Sequence, residues 1–209
     1  ANLELSKLPD TAGAVAALEG ICLGAYSFNR YKQSDTPAQQ VTLLVDEDLR
    51  VQAERVQAVT DAVLVARDLS HEPANVINPV TLAERAQTIA AQVGLGFKVV
   101  DEQALAEMGA GAILGVGRGS KTPPRFIILE YAGDGSSAQP VVLVGKAITF
   151  DTGGYSLKNT EGIVGMKYDK CGGVDVLAVL QAAAELELKT PLVVLTVVKQ
   201  FDARQTVRD

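Results

Sequence analysis

Two short segments gather the charged residues that could do chemistry. Residues 144–158 read VGKAITFDTGGYSLK and set Lys146, Asp151 and Lys158 among glycines behind an apolar run. Residues 165–173, GMKYDKCGG, add Lys167, Asp169 and Lys170, again followed by a glycine pair. On spacing alone two readings stay open. Carboxylates and ammoniums can neutralise one another as ion pairs, which also perturb titration. Alternatively, carboxylate oxygens suit a hard divalent cation such as Mg2+, Mn2+ or Zn2+. A lysine could join such a site only as a neutral amine, its pKa drawn down by burial and by the cation's own charge. A second, protonated lysine could then stabilise a developing oxyanion.

The remaining residues narrow the chemistry. His71 is the one histidine in the chain, so HExxH zinc sites and any site with two histidine ligands are excluded. It stands beside Glu72 and Pro73 and reads as a surface or helix-capping side chain. Cys171 has lysines nearby but no base beside it, so it reads as a buried, inert thiol. GVGRGSKT (115–122) resembles a phosphate-binding loop, but Ser120 replaces its second glycine and Pro123 and Pro124 follow at once. Such a loop must run into a helix, so nucleotide binding is disfavoured. GAGAILG (109–115) follows a helix rather than a strand and reads as a glycine-rich turn.

Composition sets the frame. The 209 residues are 47% hydrophobic with no tryptophan, which suits a globular chain with an aliphatic core. The net charge of −6 argues against nucleic acid and acidic membrane surfaces. Cys22 and Cys171 are too sparse for a disulfide framework, which favours a reducing compartment. The start lacks the pattern of a signal peptide, and no apolar run reaches the roughly 18 residues of a membrane span. A cytoplasmic protein is expected.

The elements that must position the charged segments follow from periodicity and punctuation. Residues 12–26 read as a helix, 29–40 as a polar connection and 41–45 as a strand. A long helix is expected over 47–69 from the spacing of Val51, Val56, Val59, Val63 and Ala66. Residues 70–79 read as a loop; Asn78 then caps a helix with Pro79 at its first position, and Gly94 ends it. A strand at 97–100 and a short helix at 101–109 precede strands at 125–132 and 141–148, which the turn-rich 133–140 divides. A helix at 173–188 and a strand at 192–198 close the series, both apolar almost all round. Alternating strands and helices, with strands as continuous apolar runs, predict an α/β fold with a mixed, largely parallel sheet flanked by helices.

Taken together, VGKAITFDTGGYSLK and MKYDKCGG resemble the leucyl aminopeptidases, also called cytosol aminopeptidases. RDLSHEPANVINPVTLAERA (67–86) and GAILGVGRGSKTPPRFIILEY (111–131) are similar to further segments of that family, so the resemblance covers nearly residues 12–198. It implies a metallo-exopeptidase that binds two divalent metal ions (Zn2+, Mn2+ or Mg2+) and releases N-terminal, leucine-like residues from peptides by a water the metals activate. Lys146 and Asp169 would then ligate one metal and Asp151 would bridge both. Lys158 would polarise the scissile carbonyl, and Met166 would line the pocket for the substrate's N-terminal side chain. A homo-hexamer is implied, with no nucleic acid or membrane partner.

The resemblance also implies what is lacking. The family completes its site with an Asn-Thr-Asp-Ala-Glu-Gly-Arg segment several dozen residues further on. The tail KQFDARQTVRD has Asp202, Ala203 and Arg204 but no glutamate. Residues 1–40 are expected to be a linker helix leading out of a missing N-terminal domain, and 41–209 the first part of the catalytic domain, an incomplete di-metal aminopeptidase domain cut before its last ligands. The competing expectation is an inactive fragment that serves only as a binding or assembly module. Smaller departures are Thr152 for the usual serine, Lys170 for the usual methionine and Asp175 for a small residue.

Overall fold

The computed structural model describes residues 2–4, 10–32, 42–44, 47–135 and 139–201. Most of the polar connection at 29–40 and the tail beyond 201 lie outside the described residues, as do the ends of the 41–45 strand and part of the 133–140 turn. The chain divides into two compact units, residues 1–64 and 65–209.

In the first unit, β1 (Asn2–Glu4) pairs in parallel with β2 (Thr42–Leu44). Helix α1 (Thr11–Gly24) starts where the Asp10 carboxylate accepts the Gly13 N–H, a cap for a donor that has no partner within the helix. Ala14 and Leu18 are buried on it, and Leu49, Ala53 and Val56 of α2 (Glu47–His71) pack against them. Val51 and Val59 of the same expected stripe stay exposed.

In the second unit, α3 (Pro79–Val93) is bounded as its sequence predicts. The Asn78 side chain accepts from the N–H groups of Val80 and Thr81, Thr81 returns a contact to the Asn78 N–H, and Gly94 closes the helix at φ 72°. Then come β3 (Gly96–Val100), α4 (Glu102–Glu107), α5 (Gly111–Gly117), β4 (Arg125–Tyr131) and β5 (Val141–Asp151). α6 (Thr160–Ile163), a 3-10 turn at Met166–Tyr168, α7 (Cys171–Glu185) and β6 (Leu192–Phe201) complete the order.

The sheet runs β3-β4-β6-β5, so β6 is central and β5 lies at an edge of the described sheet. Leu192, Val194, Thr196 and Val198 alternate into the core from β6. Helices α3 and α7 pack on the sheet and on each other. α4 and α5 cover Phe126 and Ile128 of β4 with a cluster built on Val100, Leu105 and Leu114.

The fold is α/β with a mixed sheet flanked by helices, as expected, but it is not largely parallel. Among the described residues of this four-stranded sheet, β5 and β6, joined through α7, run parallel, whereas β4 is antiparallel to both β3 and β6. A continuous apolar run reports burial on both faces and carries no sign of direction. GAGAILG is likewise not a simple turn, since residues 111–117 form α5. Glycine costs a helix roughly 0.5–1 kcal/mol per residue, and here Ile113 and Leu114 pack into the cluster under β4.

Candidate metal centre

Strand β5 carries Lys146 near its middle and Asp151 at its end. Asp169 follows the 3-10 turn, immediately before the start of α7. What brings the two segments together is glycine. A Cβ on Gly145 would stand 2.6 Å from both Gly173 Cα and Val176 Cγ2, and closer still to the Gly172 carbonyl oxygen. A Cβ on Gly173 would meet Ala147 Cβ at 2.5 Å and Thr196 Cγ2 at 2.9 Å. The N-terminus of α7 therefore lies backbone to backbone on β5, which only residues without a side chain permit. The Ile148 N–H donates to the Asp169 carbonyl at 3.2 Å and fixes the register of the contact.

Lys158 reaches the same place by a different route. Gly153, Gly154, Tyr155 and Ser156 have φ of 80°, 81°, 50° and 55°, four left-handed residues in succession. They turn the chain back, and the Lys158 N–H donates to the Thr152 carbonyl at 3.2 Å.

The structure thus brings together the four charged residues to which the family resemblance gave a role, Lys146, Asp151, Lys158 and Asp169. Lys146 Nζ is 2.8 Å from Asp169 Oδ1, and Lys158 Nζ is 3.2 Å from Asp151 Oδ2. Lys158 Nζ also donates to the Met166 sulfur at 2.9 Å, which places Met166 at the site. Burial alone would raise the Asp151 pKa. The Gly153 N–H at 2.7 Å and the hydrogen bond and charge of Lys158 outweigh it and hold this carboxyl below its ordinary value, with a smaller effect from the Asp169 carboxyl.

Can these residues hold a cation? Among the described residues no three His, Cys, Asp or Glu side chains cluster as a metal site. The donor set is two carboxylates and the amine of Lys146. One observation favours a fit: Asp169 Oδ2 is buried and has no hydrogen-bond partner among the described residues. An unsatisfied buried carboxylate oxygen is costly, and a hard cation is the partner its chemistry suits. Lys146 now pairs with Asp169 and is 60% exposed, so it joins as a ligand only by giving up its proton. The residues present fit the oxygen side of a divalent site.

Two further lysines at this place were not assigned any role from sequence. Lys199 of β6 pairs with Ile148 across the ladder, and burial, followed by the charge of Lys146, lowers its pKa. A lysine closing the run LVVLTVV was the available signal. Lys170 is fully buried. Burial is the main cause that lowers its pKa to about 8; Cys171 opposes this, Lys167 adds to it and Glu72 opposes it. His71 ends α2, and its Nδ1 lies 3.0 Å from the Tyr168 hydroxyl. Cys171 is free and half-buried rather than buried, and Cys22 is also free. No helix among the described residues is long and apolar enough to cross a membrane.

Comparison with known proteins agrees with this picture. The cytosol aminopeptidase family, catalytic domain, matches residues 64–201. A probable cytosol aminopeptidase of Acidithiobacillus ferrooxidans is 40% identical over 198 residues, which is 90% of this chain and 39% of that protein. One from Geotalea uraniireducens is 43% identical over 187 residues, 85% of this chain and 38% of that protein. The chain thus spans about two-fifths of the length of these relatives. Among solved structures, the cytosol aminopeptidase of Coxiella burnetii superposes with a TM-score of 0.85 at 28% identity, covering 98% of this chain and 44% of that one. The bottromycin maturation enzyme BotP in complex with Mn has a TM-score of 0.83 at 31% identity, covering 100% of this chain and 46% of that one.

Proposed function

The chain belongs to the cytosol aminopeptidase family, and from that premise we propose that the polypeptide carrying it is a divalent-metal-dependent aminopeptidase that releases N-terminal, leucine-like residues from peptides. The observation that carries the reading is the buried Oδ2 of Asp169, without a hydrogen-bond partner among the described residues, beside the charged side chains of Lys146, Asp151 and Lys158. The Mn named in the BotP structure supports a divalent ion.

Lys146 and Asp169 would hold one cation, and Asp151 would share its carboxylate between two. When bound, the cations would polarise the scissile carbonyl and lower the pKa of a water. The chain's own part is orientation and charge. The Gly153 N–H and Lys158 keep Asp151 ionised and ready to coordinate. Lys158, whose ammonium lies against Asp151 here, would turn it to the substrate's carbonyl oxygen and stabilise the negative charge that develops there. Met166, whose sulfur already touches that ammonium, would line the pocket for the N-terminal side chain. A homo-hexamer in the cytoplasm is the assembly and place this reading takes from the family.

The test is hydrolysis of leucine p-nitroanilide and of a Leu-initiated peptide, with Mn2+ or Zn2+, by the longest natural polypeptide that contains this chain. Metal-dependent release of leucine that chelation abolishes is expected. Metal binding without any release would favour the second reading, a binding or assembly module. That reading is supported by a centre in which, among the described residues, the carboxylates of Asp151 and Asp169 are each already paired with a lysine.

A further inference from the structure

Lys170 is a buried cation that the proposed chemistry does not use. Burying an ammonium is costly unless all its donors are taken, and here they are. Lys170 Nζ donates to the carbonyls of Ser70 at 3.0 Å, Glu72 at 2.8 Å and Lys167. Ser70 and His71 lie in the last turn of α2, where helix carbonyls lack an N–H partner and a cation complements the helix dipole. The neighbouring Lys167 Nζ donates to the His71 carbonyl at 3.0 Å. Three successive carbonyls, 70, 71 and 72, are therefore met by two ammoniums from the turn at 166–170. The Tyr168 hydroxyl and ring close the same contact against His71, edge to face at 5.6 Å between centroids. The Glu72 side chain, 1% exposed, places a compensating charge nearby.

Asp169 stands one residue before Lys170. Its carbonyl takes the Ile148 N–H and its carboxylate takes Lys146. The turn is thus fastened on one side to β5 through Asp169 and on the other to the end of α2 through Lys170. We propose that Lys170 is a positioning residue: by gathering the carbonyls of Ser70, Glu72 and Lys167 it holds the 166–170 turn in the one arrangement that aims the Asp169 carboxylate at a cation. The inference rests on the reading of Asp169 as a ligand. It also gives a role to a side chain that departs from the family pattern.

The test compares Lys170→Ala, which removes the donors, with Lys170→Gln, which restores part of them, and with Asp169→Asn. Two readouts are taken on the full chain well below the melting temperature: hydrogen exchange of the Ile148 amide and Mn2+ affinity from the loss of the free-ion paramagnetic signal. Lys170→Ala is expected to speed Ile148 exchange at least tenfold while amides inside the β4–β6 ladder stay protected, and to weaken Mn2+ binding at least tenfold. Lys170→Gln should recover part of both. A lower melting temperature with Ile148 exchange and Mn2+ affinity unchanged would reduce Lys170 to a structural staple and overturn the proposal. Unchanged affinity in Asp169→Asn would instead sink the ligand reading; faster Ile148 exchange in Lys170→Ala would still support the fastening of the turn. If Lys170→Ala does not fold, Lys170→Gln carries the same comparison.

Discussion

The centre is assembled from two halves of opposite character. The joint between β5 and the start of α7, which carries Lys146 and Asp169, is made by close backbone approach at Gly145 and Gly173 and by the Ile148–Asp169 hydrogen bond. The loop that carries Lys158 runs through four left-handed residues and leaves Tyr155, Leu157 and Val164 exposed at 61%, 77% and 72%. Packing holds the first half, whereas left-handed backbone, hydrogen bonds within the loop and the contacts of Lys158 with Asp151 and Met166 shape the second. Metal ligation tolerates little displacement, since affinity follows ligand number and geometry. A side chain that must leave an ion pair for a substrate oxygen gains from being on a segment that is less tightly packed. On the function proposed above, the difference would separate holding, at Lys146 and Asp169, from reacting, at Lys158.

The most severe way to break this comparison is to remove the reacting group. Lys158→Ala is expected to lower kcat on leucine p-nitroanilide by about 10²–10³-fold, the usual scale for one oxyanion donor. Mn2+ affinity should change less than threefold, because Lys158 is not a ligand. A fall in Mn2+ affinity as large as the fall in kcat would mean that the two halves are one.

Next is the joint. Gly145→Ala puts a methyl into backbone atoms that cannot step aside. Overpacking of this kind costs about 1–3 kcal/mol, occasionally more, and we expect the upper end in thermal or urea unfolding. Mn2+ affinity should fall with it, in contrast to Lys158→Ala. An unfolding midpoint equal to the parent's would show that α7 is not seated on β5 as described.

A smaller effect ties the halves together through Asp151. Its folded pKa lies below the ordinary 3.8, so the unfolded chain binds the proton more readily. The metal-free protein therefore gains stability from this carboxylate above about pH 4 and loses it as the pH falls through the folded value. Lys158→Met removes a hydrogen bond and a charge that lower that value, so its acid-unfolding midpoint should move to higher pH. An unmoved midpoint would mean that the ion pair contributes nothing.

How much of this was legible follows the same division. The charged residues of the joint were legible in VGKAI and KCGG, where they stand beside glycines, but the close approach of α7 to β5 at Gly145 and Gly173 was not, because it depends on the tertiary fold. The Asn78–Pro79 start and Gly94 stop were legible, because a cap is local and leaves its mark in residue type. Strand direction was not, since β4 and β6 are apolar for reasons of burial that ignore orientation. α5 was hidden because tertiary packing of Ile113 and Leu114 overrides the propensity of GAGAILG. Lys170 was noticed among the charged residues, but its burial was not legible, and Lys199 drew no notice. The carbonyls of Ser70 and Glu72, about a hundred residues away, with that of Lys167, explain how Lys170 can be buried.

The finest test concerns the strain itself. Tyr155 and Ser156 hold φ of 50° and 55°, where a side chain costs roughly 1–2 kcal/mol per residue. Ser156 is exposed, so Ser156→Gly relieves that cost and removes little packing. Glycine also raises the entropy of the unfolded chain by roughly 0.5–1 kcal/mol, which leaves a net stabilisation of about 0.5 kcal/mol in urea unfolding. If the strained turn serves only to reverse the chain, kcat will not change. If it aims Lys158, the looser turn should lower kcat about twofold while Mn2+ affinity stays constant, because the joint is untouched. We expect the second result. Destabilisation by 1 kcal/mol or more would show that Ser156 is held by contacts rather than strained, and the contrast between a packed half and a strained half would fall with it.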